Sequence, residues 1–175
     1  MSKILRSRRG SILIEAAIAF PVLIVILFGM VEFGVAYTVK RRNAQVASTA
    51  ADLVAQVSSI STLDLQSIQT VGATILAPFS YSPTIGGLRI TVVTQNANNA
   101  TVLWSCAKGN LGAASGTYSL PSGLASEGQA VVIAEASYNF TPAIGQFLTG
   151  VVAFSAKAYN KPRLTASVAL QGACP

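Results

Sequence analysis

The sequence predicts an α+β fold in which a long N-terminal transmembrane helix packs on a small head that contains an antiparallel sheet. Three observations support this prediction. Residues 11–39 are apolar apart from Glu15 and Glu32, and residues 43–57 continue as an alanine-rich segment. Further along the chain, several short runs alternate apolar and polar residues, which is the pattern of half-buried strands.

The composition favours a membrane protein over a nucleic-acid-binding one. The chain has 175 residues, of which 51% are hydrophobic and 10% are charged, against about 25% charged in ordinary soluble domains. The net charge of +6 is concentrated around the apolar run. The flanking basic residues are Lys3, Arg6, Arg8, Arg9, Lys40, Arg41 and Arg42. No basic stripe follows, so we expect a membrane and no nucleic acid as partner.

The apolar run is long enough to cross a bilayer, whose hydrocarbon core needs about 20 residues. It exceeds the apolar region of a cleaved secretory signal. We therefore predict that residues 1–10 are a basic leader in the cytoplasm, that residues 11–58 are the membrane helix with its extension, and that residues 59–175 form a head outside the cytoplasm.

The extension is predicted from its spacing. Val46, Ala50, Leu53 and Val57 recur at intervals of four and three residues and form one apolar stripe. A helix over residues 11–58 would be roughly 70 Å long, and its second half would lay this stripe on the head.

A second, short helix is predicted at the start of the head. Ser61 followed by Asp64 is typical of a helix N-cap. Leu65, Ile68 and Ile75 then recur at helical spacing. This helix should end before Pro78, which cannot continue it.

Four strands follow in the prediction, with a fifth strand or pairing tail over residues 164–170. The alternating segments are 88–95, 101–106, 130–140 and 152–158. Val102, Trp104 and Cys106 are expected on one face of the second strand, and Glu135 is expected to face outward from the third.

Two connections in the head are also predicted. Residues 108–128 form a glycine- and serine-rich loop, and loops of this length are usually functional or mobile. Residues 141–150 form a turn or a short helix.

Cys106 and Cys174 are the only cysteines, and the chain has no histidine. A disulfide between them is favoured if the head lies outside the cytoplasm, and two unpaired buried thiols are the alternative. Without histidine and with few acids, we predict no metal site, no cofactor and no catalytic residues, and hence no enzyme.

The basic leader, Gly10 and the acid Glu15 at the start of an apolar helix resemble the processing site of type IV pilin-like proteins. Further motifs make the resemblance more specific, to the TadE-like (TadE/TadG) family, the pilin-like proteins of the tight-adherence Flp pilus assembly system. These motifs are Arg9-Gly10, Pro21, Glu32-Phe33-Gly34, the segment from Glu135 to Pro142, and Lys161-Pro162-Arg163.

The resemblance implies a minor pilin-like subunit in the bacterial inner membrane, cut by a prepilin peptidase between Gly10 and Ser11. Its other partners would be pilin-like subunits and the pilus assembly machinery. A carboxylate four residues along a helix shares a face with the new amine, so Glu15 would neutralise the amine of a neighbouring subunit. Alternatively, Glu15 is solvated at the headgroups. Glu32 is preferentially assigned to a basic collar with Lys40, Arg41 and Arg42.

A second function remains open from the sequence. The chain could be an unprocessed single-pass protein, anchored in the membrane, whose periplasmic head binds a ligand or partner.

Overall fold

The computed structural model describes residues 8–97, 99–145 and 147–175, and it has the predicted α+β architecture. In chain order the elements are α1 (Arg8–Ala55), β1 (Ser59–Ser61), α2 (Thr62–Leu76), β2 (Gly86–Gln95), β3 (Ala100–Gly109), β4 (Thr117–Tyr118), β5 (Ala130–Phe140), β6 (Val152–Asn160) and β7 (Ala169–Gln171). Most of the predicted leader lies outside the described residues.

Helix α1 has 48 residues and two distinct parts. From Ile12 to Phe28 its side chains are exposed or nearly so, and from Gly29 onward one face is buried. Pro21 lies inside the helix, in the exposed part. The helix is about 72 Å long at 1.5 Å per residue, so it extends well beyond the head that it carries.

The buried stripe of α1 differs from the predicted one at its end. Val46 and Ala50 are buried, as expected, but Leu53 and Val57 are exposed and Val54 is buried in their place. The reason is that α1 ends at Ala55, and its last turns are covered on two sides, by the sheet and by α2. This wider contact is filled by alanines at positions 47, 51 and 55.

Helix α2 begins with the predicted cap. The Asp64 backbone N–H donates to Ser61 Oγ, while the Ser61 backbone N–H donates to the Asp64 carboxylate. The hydrogen bonds from the side chain and backbone of Ser61 lower the pKa of Asp64. Such reciprocal capping satisfies backbone donors that have no partner in the first turn. The helix ends at Leu76, before Pro78.

Among the described residues, five strands form an antiparallel sheet in the order β4-β3-β2-β5-β6. One face of this sheet packs on α1 and α2 and forms the main core. The other face carries a smaller cluster around Val93, Val131 and Ile133. That second cluster is covered by residues of the loop that follows β3, so both faces of the central strands β2 and β5 are buried.

The pairing of β2 with β3 departs from the sequence prediction. A bulge between Val92 and Val93 lies opposite the segment from Val102 to Trp104, so Val102 packs in the smaller cluster while Trp104 and Cys106 belong to the main core. The described residues of the connection after β5 form bends and no helix, so of the two predicted forms, a turn or a short helix, they take the turn. The predicted fifth strand or pairing tail over residues 164–170 is present as the short β7, which pairs with β1.

The C-terminal tail is fastened to the head near the C-terminal end of α1. Strand β7 pairs in parallel with β1, apart from the main sheet. Cys174, just beyond β7, forms a disulfide with Cys106 on β3, with 5.2 Å between their Cα atoms. In addition, the Arg163 backbone N–H donates to the carbonyl of Ala55 at the end of α1.

Candidate functional site

The N-terminal half of α1 is an apolar surface without cover from the head. Phe20, Leu23 and Met30 are each more than 60% exposed. Among the residues described, α1 is the one helix that is long and apolar enough to cross a membrane. Burial of this surface in lipid would remove a large apolar area from water, so this part of α1 is an anchor.

The predicted processing and assembly residues lie at the beginning of this anchor. Of Gly10 and Ser11 the structure describes only the helical backbone. Glu15 is exposed and lines a shallow apolar groove with Ile18, Ala19, Val22 and Leu23. It therefore stands as a carboxylate on the apolar face of the anchor, about one turn beyond Ser11.

The second acid of α1, Glu32, is buried, with 3% of its surface exposed. The backbone N–H groups of Phe147 and Leu148 donate to its Oε2 at 2.9 and 3.3 Å, and the N–H of Gly145 donates to Oε1. Successive backbone donors of this kind form a nest for an anion. The predicted role of Glu32 in a basic collar is therefore wrong, because its carboxylate holds the connection between β5 and β6.

An aromatic contact supports the same junction. The Phe147 and Phe33 ring centroids are 6.5 Å apart. The Phe147 ring also lies over Gly29, where a Cβ atom would be 3.5 Å from it. Gly29, Glu32 and Phe33 thus form the surface of α1 on which this connection packs.

The basic residues at the outer end of the anchor divide into two kinds. Lys40 and Arg41 are exposed. Arg42 instead donates from Nη1 to the carbonyl of Ile75 at 2.9 Å and to that of Ala77. These carbonyls are at the C-terminal end of α2, where a cation is favourable. Arg42 therefore fastens α2 to α1, and the exposed part of the collar is Lys40 and Arg41.

Asn43, which the sequence prediction overlooked, ties α1 to the sheet. It is 1% exposed, and its Nδ2 donates to the carbonyls of Ala136 and Phe154 at 3.1 and 3.3 Å. Since buried polar groups are costly unless they are hydrogen-bonded, this side chain fixes where α1 lies along β5 and β6.

A charged cluster occupies the opposite face of the sheet. Glu135 is only 4% exposed, contrary to the predicted outward position, because the loop after β3 covers it. Its carboxylate pairs with Arg89 and with Lys157, whose Nζ is 2.5 Å from Oε1, and it accepts from the Tyr118 hydroxyl at 3.2 Å. Arg89 also donates to the carbonyl of Gly112 at 2.9 Å, so the cluster holds the covering loop.

The environment of this cluster keeps its ion pairs charged. Burial opposes ionisation of Glu135, but the hydrogen bonds and charges of Lys157 and Arg89 outweigh it and lower its pKa. The hydrogen bond that Lys157 donates to Glu135 in turn raises the pKa of Lys157. Burial raises the pKa of Tyr118. All four groups satisfy each other, which is the arrangement of a structural network.

Within the described part of the chain, no group of three or more Cys, Asp or Glu side chains is arranged to hold a metal ion. The predicted site residues are distributed rather than brought together. Glu15 lies at one end of α1, and Cys106 and Cys174 lie in the head. The arrangement serves anchoring, since an apolar helix is held firmly on a compact head.

No curated protein and no solved structure matches this chain. The family model of TadE-like protein matches residues 10–52, which include the exposed anchor, Glu15, Glu32 and the buried stripe as far as Ala51. That family is a structural one, associated with the membrane and with assembly of the tight-adherence pilus, as the sequence motifs implied. Residues 10–52 of this chain are therefore similar to TadE-like proteins.

Proposed function

We propose that this chain is a minor pilin-like subunit, or pseudopilin, of a tight-adherence type IV pilus assembly system, with a role in pilus biogenesis and adherence. The observation that carries the proposal is the exposed apolar half of α1 with Glu15 on its surface, within the segment that matches the TadE-like family.

Glu15 supplies the reason for assembly. An unpaired carboxylate is costly once it is buried among apolar helices, away from water. Pairing with an amine offsets part of such a cost. Cleavage by a prepilin peptidase after Gly10 would give Ser11 a free amine, and Glu15 would bind the Ser11 amine of a neighbouring subunit as the apolar helices bundle.

The proposed topology has the leader in the cytoplasm, α1 in the inner membrane and the head in the periplasm or outside the cell. The basic leader favours this orientation. The disulfide between Cys106 and Cys174 suits an oxidising compartment, which agrees with a head beyond the cytoplasmic membrane.

The decisive experiment is the intact mass of the protein purified from its native membrane. We expect a mature N-terminus at Ser11. Gly10→Val should leave the precursor uncut and abolish piliation. Gly34→Ala is the control for loss of a helical glycine, because no atom lies within 4 Å of the Cβ position at Gly34, and it should be cut normally.

A chain that retains its leader in cells that assemble normal pili would refute the proposed processing. In that case the alternative stands, namely an unprocessed single-pass protein whose periplasmic head binds a ligand or a partner.

A further inference from the structure

The connection between β5 and β6 carries apolar side chains on its outer surface. We call its described residues, 141–145 and 147–151, the membrane-proximal loop. Ile144, Phe147 and Val151 are 40%, 43% and 63% exposed. The chain has no charged residue between Glu135 and Lys157. Exposed aromatic and aliphatic side chains without any charge among them are unusual on a surface that faces only water.

This loop lies against the anchor, while its Leu148 packs against the main core of the head. Its contacts with α1 are at Gly29, Glu32 and Phe33. On the helix beside them, Met30 and Val31 are 69% and 48% exposed. The apolar surface of the loop is therefore continuous with that of the anchor.

The position along α1 indicates the depth of the loop in a bilayer. Ile12 and Lys40 are about 42 Å apart along a helix with a rise of 1.5 Å per residue, close to the 40–45 Å of a bilayer with its headgroups. With Lys40 and Arg41 at the headgroups, Phe33 lies about 10 Å closer to the bilayer centre. The loop is thus at the boundary between headgroups and acyl chains.

The hydrogen bonds of Glu32 make such a position tolerable. Irregular backbone is costly at membrane depth because its N–H groups lack water as a partner. Here the N–H groups of Gly145, Phe147 and Leu148 donate to Glu32. The same hydrogen bonds satisfy the Glu32 carboxylate. The backbone donors of the loop and the carboxylate therefore each lower the free-energy cost of taking the other out of water.

We infer that the membrane-proximal loop inserts Ile144, Phe147 and Val151 into the headgroup–acyl boundary of the outer leaflet, as a second membrane contact beside α1. The occupant of this apolar surface is the lipid bilayer. The second contact fixes the tilt of the head relative to the membrane plane, which a single membrane helix leaves free. The inference rests on the membrane anchoring in the proposed function and does not depend on cleavage after Gly10.

The test uses the full chain in phospholipid vesicles that contain lipids brominated on their acyl chains, which quench nearby tryptophans. Trp104, the one tryptophan, remains as a common background in the head. Phe147→Trp and Val151→Trp are two separate reporters, so failure of one variant to fold leaves the other. Leu164→Trp is the matched control. Leu164 is 69% exposed, and it follows Arg163, whose backbone N–H donates to Ala55 at the end of α1 that lies farthest from the anchor.

Both loop reporters should be quenched about twofold or more above the Leu164→Trp control, as for aromatic residues of a membrane interface. Quenching equal to that control would overturn the inference. Phe20→Trp, within the anchor, separates the two proposals. If Phe20→Trp is quenched and the loop reporters are not, only the loop insertion fails, and if Phe20→Trp is not quenched, the membrane anchoring itself fails.

Discussion

The two acids of α1 have opposite surroundings although they share one helix. Glu15 is exposed on an apolar surface, whereas Glu32 is buried beneath backbone donors. An exposed acid on such a surface is available to another molecule, and a buried and bonded one is already committed to its own chain. The distinction supports the proposed pairing of Glu15 with a neighbouring subunit and gives Glu32 a role within its own chain.

Replacing Glu32 should release the membrane-proximal loop. In the wild type the backbone donors of the loop face two carboxylate oxygens. In Glu32→Gln the side-chain amide presents only one acceptor oxygen to them. Hydrogen bonds to a charged group contribute about 1.5–3 kcal/mol, so amide exchange at Phe147 and Leu148 should accelerate about tenfold or more. Hydrogen exchange with mass spectrometry measures this, with Glu15→Gln as the control on the same helix. Unchanged exchange would contradict the role of Glu32.

Glu135 should make the stability of the head depend on pH. Its pKa is lowered in the folded state, so its contribution is present above the ordinary carboxyl value of 4.5 and is lost as the pH falls through the folded value. The melting temperature should therefore fall between about pH 5 and pH 3. Glu135→Gln should flatten this fall and lower stability at pH 7, while Glu127→Gln, at an exposed position, should do neither.

At the scale of elements, the head is built of local patterns joined by contacts that are distant in sequence. The sequence predicted β5 over residues 130–140 and the Ser61 cap of α2, and both agree with the structure. Their signals are local, since they depend on alternation and on a cap three residues from its partner. The parallel pairing of β7 with β1 has no local signal, because it depends on how the tail returns to the end of α1.

The burial of the polar residues of α1 could have been predicted from their spacing in the sequence. Gly29, Glu32, Ala36, Val39, Asn43, Val46, Ala50 and Val54 follow one another at intervals of three and four residues, and all are buried. Continuing the apolar stripe toward the N-terminus would have assigned Glu32 and Asn43 to the core. The burial of Glu135 was beyond such reasoning, because a loop with no regular pattern covers it.

The disulfide should contribute most of the stability that the tail gives the head. It closes a loop with a sequence separation of 68 residues, which corresponds to about 4 kcal/mol on the chain-entropy model. Reduction should lower the denaturant midpoint of the wild type. In the double variant Cys106→Ala with Cys174→Ala the midpoint should already be low and should not respond to reductant. A wild type whose midpoint is insensitive to full reduction would argue against this contribution.

At the scale of the whole molecule, a rigid helix joins a lipid-facing half to a half that is buried in the head. The head is fastened to α1 by Asn43, Arg42 and the apolar stripe, so the two halves cannot rotate independently. A change in how the anchors of neighbouring subunits pack would therefore be transmitted to the heads. This coupling suits the proposed role as an assembling subunit.

Assembly should be sensitive to Glu15 where insertion and folding are not. Glu15→Gln removes the charge at nearly constant shape, so the protein should still reach the membrane with its disulfide formed, but piliation should be lost because the Ser11 amine has no partner. Glu127→Gln removes the same charge from the head, and cells that carry this variant should form normal pili. Membrane fractionation and electron microscopy of the cells measure both outcomes, and normal pili with Glu15→Gln would exclude the pairing.

The way in which α1 lies along the sheet also determines how the molecule bears tension. Asn43 reaches Ala136 and Phe154 on neighbouring strands, and the stripe continues beside them to Ala55. A pull on the anchor would therefore act in shear, along the helix and across the whole interface, so that many contacts would have to fail together and not one after another.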